Sequence, residues 1–193
     1  MRVITALRER PRGRVEVDLD GTSWRIVPAD AVVRTGLTVG RALDRETARD
    51  LARELRRSEA LSVALRALRH RDHSRSRLEA RLAGRGTSTA TVEDALETLE
   101  RAGLVDDARV GTARAEQLAG RGFGDAAIRF ALEGEGLAAE VVDDALAILD
   151  PEPERARRLL DVRGRTPKTV RWLAAKGFDA ATLEDLGAFA DGA

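Results

Sequence analysis

The sequence predicts a mostly α-helical protein: a tandem array of three three-helix repeats, preceded by a small N-terminal β-hairpin segment and a linking helix. Three observations lead there. Apolar residues recur three and four positions apart in short stretches closed by glycine or a capping residue, the signature of amphipathic helices. A leucine four residues before a glycine recurs as Leu82-Ala-Gly-Arg-Gly86, Leu132-Glu-Gly-Glu-Gly136 and Leu173-Ala-Ala-Lys-Gly177, at spacings of 50 and 41 residues. After each glycine comes a related acidic helix: Val92-Glu-Asp-Ala-Leu96, Val142-Asp-Asp-Ala-Leu146 and Leu183-Glu-Asp-Leu186. Recurrence at such periods signals helical arrays. The expected boundaries are residues 1–43 for the hairpin segment, 44–57 for the linking helix, and 58–104, 105–150 and 151–193 for the repeats.

In chain order, Val15, Val17 and Leu19 alternate with Arg14, Glu16, Asp18 and Asp20, and Trp24 and Ile26 alternate with Ser23 and Arg25. Asp20-Gly21 between them is a turn signal, so a hairpin with one apolar face is expected. A lone hairpin is marginal in water, so that face needs cover from a third strand, Val3 to Leu7, or from a helix. Pro28 and Gly36 end the extended part. The glycines at 36 and 40 lack the Gly-Lys-Ser/Thr of a nucleotide-binding loop. Asp44 caps a helix carrying Ala48, Leu51, Ala52 and Leu55. Ser58 is expected to cap the next, whose stripe includes Ala64, Leu65 and Leu68.

In the first repeat Ser74 caps a helix carrying Leu78 and Leu82. Ser88 or Thr89 caps one lined by Val92, Ala95, Leu96 and Leu99 and ended by Gly103. The second opens on Asp106-Asp107, carboxylates suited to the positive end of a helix. Its expected stripes are Ala113, Leu118, Ala119; Ile128, Ala131, Leu132; and Val141, Val142, Ala145, Leu146, Leu149. The third begins at Pro151 and Pro153, with Ala156, Leu159, Leu160 and Val162. Thr166-Pro167 reads as N-cap and first helical residue, ahead of Val170, Leu173 and Ala174. A last helix is expected from Ala180 to Phe189, with residues 191–193 fraying.

The absence of cysteine excludes disulfides and thiolate metal sites and fits a reducing cytoplasm. Met1 to Arg14 holds no signal peptide and no run approaches a membrane span, so a soluble cytoplasmic protein with no membrane role is expected. Net charge is zero but unevenly spread. Arg53 to Arg85 holds ten arginines against four acids; Thr87 to Asp150 holds fourteen acids against five arginines; Pro151 to Lys176 holds eight basic residues against three acids. Such asymmetry speaks of partners rather than fold: a polyanion for the flanks, a basic protein surface for the middle. Solvated helix faces paired locally would give the same counts.

His70 and His73 are the only histidines and sit in an arginine-rich turn, short of the donors a metal site needs. Asp72, His73 and Ser74 are adjacent, so they cannot converge as a nucleophile triad. No active site, metal or cofactor is expected. The arginines remain: Arg66 and Arg69, then Arg71, Arg75, Arg77, Arg81 and Arg85 on or beside one short helix. Arg163, Arg165, Lys168, Arg171 and Lys176 hold the equivalent place in the third repeat. Phosphate binding needs such clusters, and arginine also grips carboxylates on proteins. Asp106, Asp107, Asp143 and Asp144 are the candidate acidic partner-facing residues. Aromatics are scarce, which disfavours base stacking as the main mode; Trp172 and Phe178 are expected in the core.

These residues resemble the RecX family, bacterial modulators of the RecA recombinase. The likeness runs through Ala64-Leu65 with Leu68 and Arg71, Ser74 and Leu78, Leu82 and Gly86, then Leu99 and Gly103-Leu104-Val105-Asp106-Asp107. It continues with the Gly122 turn, Leu132 and Gly136, Trp172-Leu173 and Lys176-Gly177-Phe178. It covers the chain from about Ser58 on, and the hairpin resembles an N-terminal extension that some members carry. Two departures stand out. Arg77 replaces a glutamate frequent in the family, making its helix more basic. Val110-Gly111 replaces an aromatic-alanine pair, which is expected to loosen the second repeat. The resemblance implies a non-enzymatic, monomeric regulator without cofactor. It would bind the groove of the RecA filament across neighbouring protomers, with weak salt-dependent contact to single- or double-stranded DNA. It would dampen ATP hydrolysis, strand exchange and co-protease activity in recombinational repair and the SOS response. The residues alone also fit a helix-turn-helix-like DNA-binding regulator, or a helical-repeat scaffold with no nucleic-acid role.

Overall fold

The computed structural model describes residues 2–187, so Phe189 and residues 191–193 of the expected last helix and tail lie outside it. Helices dominate, behind an N-terminal sheet. There are two compact units: one takes the chain to Arg71 together with Glu79–Ala102, the other Asp72–Leu78 with the chain from Gly103 on.

In the first unit, β1 (Arg2–Arg10), β2 (Arg14–Leu19), β3 (Thr22–Pro28) and the short β4 (Ala42–Leu43) form a sheet of order β3-β2-β1-β4. Every neighbouring pair is antiparallel. Asp20 and Gly21 both have positive φ, 49° and 79°, as a tight two-residue hairpin turn demands. The third strand anticipated from Val3 is present. One strand departs from its expected phase. Val17 pairs with Arg25 and Asp18 with Ser23, which leaves Trp24 as an extra, bulged residue. The bulge flips the alternation. Val27, not Trp24 or Ile26, joins Ile4, Val17 and Leu19 in the core, while Trp24 and Ile26 are exposed and Ile26 stands opposite Glu16.

A helix that the sequence reading misses, α1 (Ala29–Thr35), starts directly after Pro28 and ends at Gly36 with φ 61°. At seven residues it is too short for helical periodicity to show. Ala31, Leu37 and Leu51 close over the sheet. α2 (Arg45–Leu68) is capped by Asp44, whose side chain accepts the Thr47 N–H at 2.8 Å. Ser58, expected to cap a separate helix, lies mid-helix instead. No glycine or proline interrupts the segment, and buried Thr47, Leu51, Ala60, Ala64 and Ala67 form one unbroken stripe, so nothing ends the helix for a cap to restart. The linking helix and the first helix of the first repeat are therefore one element.

α3 (Arg75–Ala83) has its first turn in the second unit and the remainder in the first. α4 (Thr89–Arg101) packs on α2 through Val92, Ala95, Leu96 and Leu99, all buried as expected. Buried Arg57 ties these elements together. It donates to Thr98 Oγ1 at 2.9 Å, pairs with Asp94, and lies 3.8 Å from Glu54 and 3.9 Å from Asp30. A buried guanidinium surrounded in this way is costly to strip of its partners.

The second unit holds α5 (Asp107–Gly120), α6 (Asp125–Gly134), α7 (Ala139–Ala147), α8 (Glu152–Arg163), α9 (Pro167–Ala175) and α10 (Ala180–Gly187). One core gathers Ala115, Leu118, Ile128, Leu132, Leu137, Val142 and Ala145; another gathers Ala156, Leu160, Leu173, Phe178, Leu183 and Leu186. Thr166 caps α9 by accepting the Thr169 N–H, with Pro167 first in the helix. Four stripe residues are misassigned by the sequence pattern: Leu65 on α2, and Ala113, Val162 and Ala174 here, are exposed. Gly111 of the Val110-Gly111 pair sits where α5 meets α7. It is buried, and a Cβ there would lie 3.3 Å from Val141 Cγ1 and 3.5 Å from Ala145 Cβ, so α5 and α7 approach closely on the bare backbone.

Candidate partner-binding surfaces

Two junctions in the second unit place the charged residues, and they are built alike. At each, a helix N-terminus meets a glycine turn and an acidic residue from later elements. At the start of α3, buried Ser74 accepts the Arg77 N–H at 3.2 Å and donates to the Glu135 carbonyl at 2.5 Å. Asp107, first residue of α5, accepts the Arg75 N–H at 2.7 Å. Arg77 adds a bond to the Gly134 carbonyl at 2.9 Å and an ion pair to Glu135 at 3.2 Å. At the start of α6, the Gly124 and Ala126 N–H groups donate to the carbonyls of Lys176 and Gly177 at 2.9 and 3.2 Å. Glu152, first residue of α8, accepts the Asp125 N–H at 2.6 Å and the Asp179 N–H at 2.9 Å. Buried Arg155 donates to the carbonyls of Asp150 and Phe123 and pairs with Asp125. The first N–H groups of any helix have no partner inside it; here the partners come from elsewhere in the chain.

Of the candidate basic residues, Arg66, Arg69, Arg71, Arg81 and Arg85 are exposed, and no ion pair holds them among the described residues. Arg85 lines a groove with Arg56, Glu59, Ala60, Val63 and Thr87. Arg75 is half-buried, and Arg77 is engaged by the junction above. In the later stretch Arg165 pairs with Asp161 at 2.6 Å, while Lys168 and Arg171 are exposed and unpaired among the described residues.

Arg163 and Lys176 lie over rings. Arg163 sits 4.0 Å from the Trp172 centroid, and Lys176 sits 3.9 Å from Phe123 and 5.7 Å from Trp172. Arg121, absent from the sequence-based candidates, lies 5.7 Å from Phe123. The signal for it was the turn Arg121-Gly-Phe-Gly124, a cation beside an aromatic. Trp172 and Phe178 both pack in the last core, as expected, though Trp172 stays half-exposed.

The acidic candidates divide too. Asp106 caps its own helix through the Arg109 N–H at 2.9 Å, and Asp107 is spent on Arg75. Asp143 pairs with Arg129 at 2.6 Å, and Asp144 is exposed with no ion pair among the described residues. Among the described residues no helix is long and apolar enough to cross a membrane.

This architecture is that of a known class of helical regulatory proteins. A crystal structure of regulatory protein RecX matches at a TM-score of 0.81, covering 96% of this chain and 98% of that one at 24% identity. Regulatory protein RecX of Chromohalobacter salexigens is 37% identical over 124 residues, 59% of this chain and 81% of that protein. Its counterpart from Xanthomonas oryzae pv. oryzae is 34% identical over 131 residues, 60% and 81% of the two chains. No family model matches the chain. The chain belongs to the RecX family.

Proposed function

We propose that this protein is a non-enzymatic, cytoplasmic, monomeric modulator of the RecA recombinase. It binds the RecA nucleoprotein filament and dampens ATP hydrolysis, strand exchange and co-protease activity in recombinational repair and the SOS response. Three three-helix repeats, the first opening on the α2 helix rather than at residue 58, carry the binding surfaces. The observation that supports this most is the set of exposed arginines with no ion pair among the described residues, Arg66, Arg69, Arg71, Arg81 and Arg85, in a chain of this family. Unneutralised cations on ordered helices and turns suit phosphate or the acidic surface of a protein. Asp144 and its acidic neighbours suit a basic recombinase surface.

The test is RecA's single-stranded-DNA-dependent ATPase with this protein titrated in below stoichiometry. The expected result is inhibition well under one copy per recombinase protomer, weakened in R71A/R81A/R85A with helix content unchanged. A folded protein that leaves the ATPase untouched at excess would overturn the proposal. Preference for one duplex sequence without RecA would then point to a DNA-binding regulator.

A further inference from the structure

The row of cations over rings in the second unit has a chemistry of its own. Arg121 leaves the α5–α6 turn, Lys176 the end of α9 and Arg163 the end of α8, and they alternate with Phe123 and Trp172. None of the three cations meets a carboxylate among the described residues, although Arg109, Arg129, Arg155, Arg158 and Arg165 of the same unit all do. A ring orders a cation without neutralising it. The side-chain entropy that binding would otherwise cost is already spent in folding. Trp172 is itself fixed by the Gly122 turn, where a Cβ would lie 3.2 Å from its Cη2 atom. Both rings remain half-exposed.

We propose that Arg121, Lys176 and Arg163, held by Phe123 and Trp172, bind the phosphodiester backbone of single-stranded DNA. Charges separated by π-faces match a ligand whose phosphates alternate with unstacked bases. A carboxylate on a protein partner would call for one guanidinium fork rather than a row. The inference rests on the DNA-contact part of the proposed function and on none of its recombinase part.

The experiment uses the full chain with W24F, which leaves Trp172 as the single tryptophan of the original two. Oligothymidylate is titrated in at several salt concentrations with no recombinase present, and Trp172 emission is followed. Saturable quenching is expected. R121A/R163A/K176A should bind about tenfold more weakly or worse. Its log–log salt slope should be shallower by about 2, at roughly 0.7 per lost phosphate contact. R25A/R45A/R49A removes the same charge from exposed positions on β3 and α2 and should change far less. Binding without any change in Trp172 emission overturns the site, and that readout does not require R121A/R163A/K176A to fold. Equal losses in the two triple variants overturn it as well. So does an R121A/R163A/K176A protein that keeps its DNA affinity but loses affinity for DNA-free recombinase, which would make the row a protein-binding surface. Because recombinase is left out of the titration, a failure here leaves the ATPase test of filament modulation standing, and the reverse holds.

Discussion

The junction at the start of α3 and the junction at the start of α6 answer the same physical demand with different atoms. Each must supply acceptors for orphan helix N–H groups and donors for the carbonyls of a glycine turn. The α3 junction does this with side chains: the Ser74 hydroxyl, the Arg77 guanidinium and the Asp107 carboxylate. At α6 the turn carbonyls are met by backbone, Gly124 and Ala126 against Lys176 and Gly177, and the orphan N–H is left to Glu152. The difference follows from what stands at the helix start. A serine there reaches across a gap; a glycine lets two backbones close it. The first solution tolerates change one bond at a time, whereas the backbone-to-backbone part of the second tolerates no added side chain.

The largest effect should separate them. A Cβ at Gly124 would overlap the Gly177 carbonyl and the Phe178 nitrogen, both backbone, so G124A should cost about 3 kcal/mol or more. A Cβ at Gly136 would overlap only the Ser76 side chain, at a residue with φ of 77°. G136A should cost about 1–2 kcal/mol, the scale of a left-handed alanine, and S76G should recover part of it. Urea unfolding of the four proteins checks this. If S76G recovers nothing, or if G124A unfolds no more easily than G136A, the steric distinction is wrong.

The carboxylates rank next. Glu152 is buried and serves two helix starts, so E152A should cost about 2–3 kcal/mol by orphaning two N–H groups. Half-buried Asp107 serves one N–H among the described residues, that of Arg75, and D107A should cost about 1 kcal/mol. Hydrogen exchange sharpens the assignment: E152A should expose the amides at the starts of both α6 and α10, D107A those of α3. Equal stability losses, with exchange confined to one helix start in each case, would contradict the shared-acceptor geometry. S74A should follow at about 1 kcal/mol, because it frees one N–H and one carbonyl near water-accessible residues.

Much of this was legible in the sequence where the signal is local. Ser74, Asp44, Asp106 and Thr166 act as the caps their spacing suggests, and the Asp20-Gly21 turn falls where it should. The acidic pair announces a helix start, but nothing local says that Asp107 serves another helix thirty-two residues upstream. The Trp24 bulge was illegible because alternation continues cleanly through it and only the register with β2 reveals the extra residue. The continuity of α2 was legible in the unbroken stripe; Ser58 misled because a cap residue inside a stripe looks like a boundary. Of the candidate cations, exposure and pairing sort them in ways that a count of arginines cannot. Arg77 is half of a junction, while Arg81, one turn on, is unpaired among the described residues.

The smallest expected effect concerns caps made within an element's own neighbourhood rather than across helices. The Thr47 backbone N–H, and after it the Thr47 hydroxyl, hold the Asp44 carboxyl below its ordinary value of 3.8. On the sheet the Ser23 hydroxyl, and after it Arg10, hold the Glu16 carboxyl below 4.5. Each group is more acidic folded than unfolded, so the stability it lends is full above the unfolded value and drains away as pH falls through the folded one. The first unit should therefore lose stability on acidification below about pH 4.5, in a window set by these two groups. D44N keeps an acceptor for Thr47 but cannot titrate there, and E16Q does likewise beside Ser23. Together they should lower stability at neutral pH while flattening the acid limb of the urea midpoint. Asp44 is solvent-exposed and Glu16 is only partly buried at the sheet surface, so the change should be small beside that of E152A. An acid limb as steep in D44N/E16Q as in the parent would mean that the acid response belongs to other carboxylates.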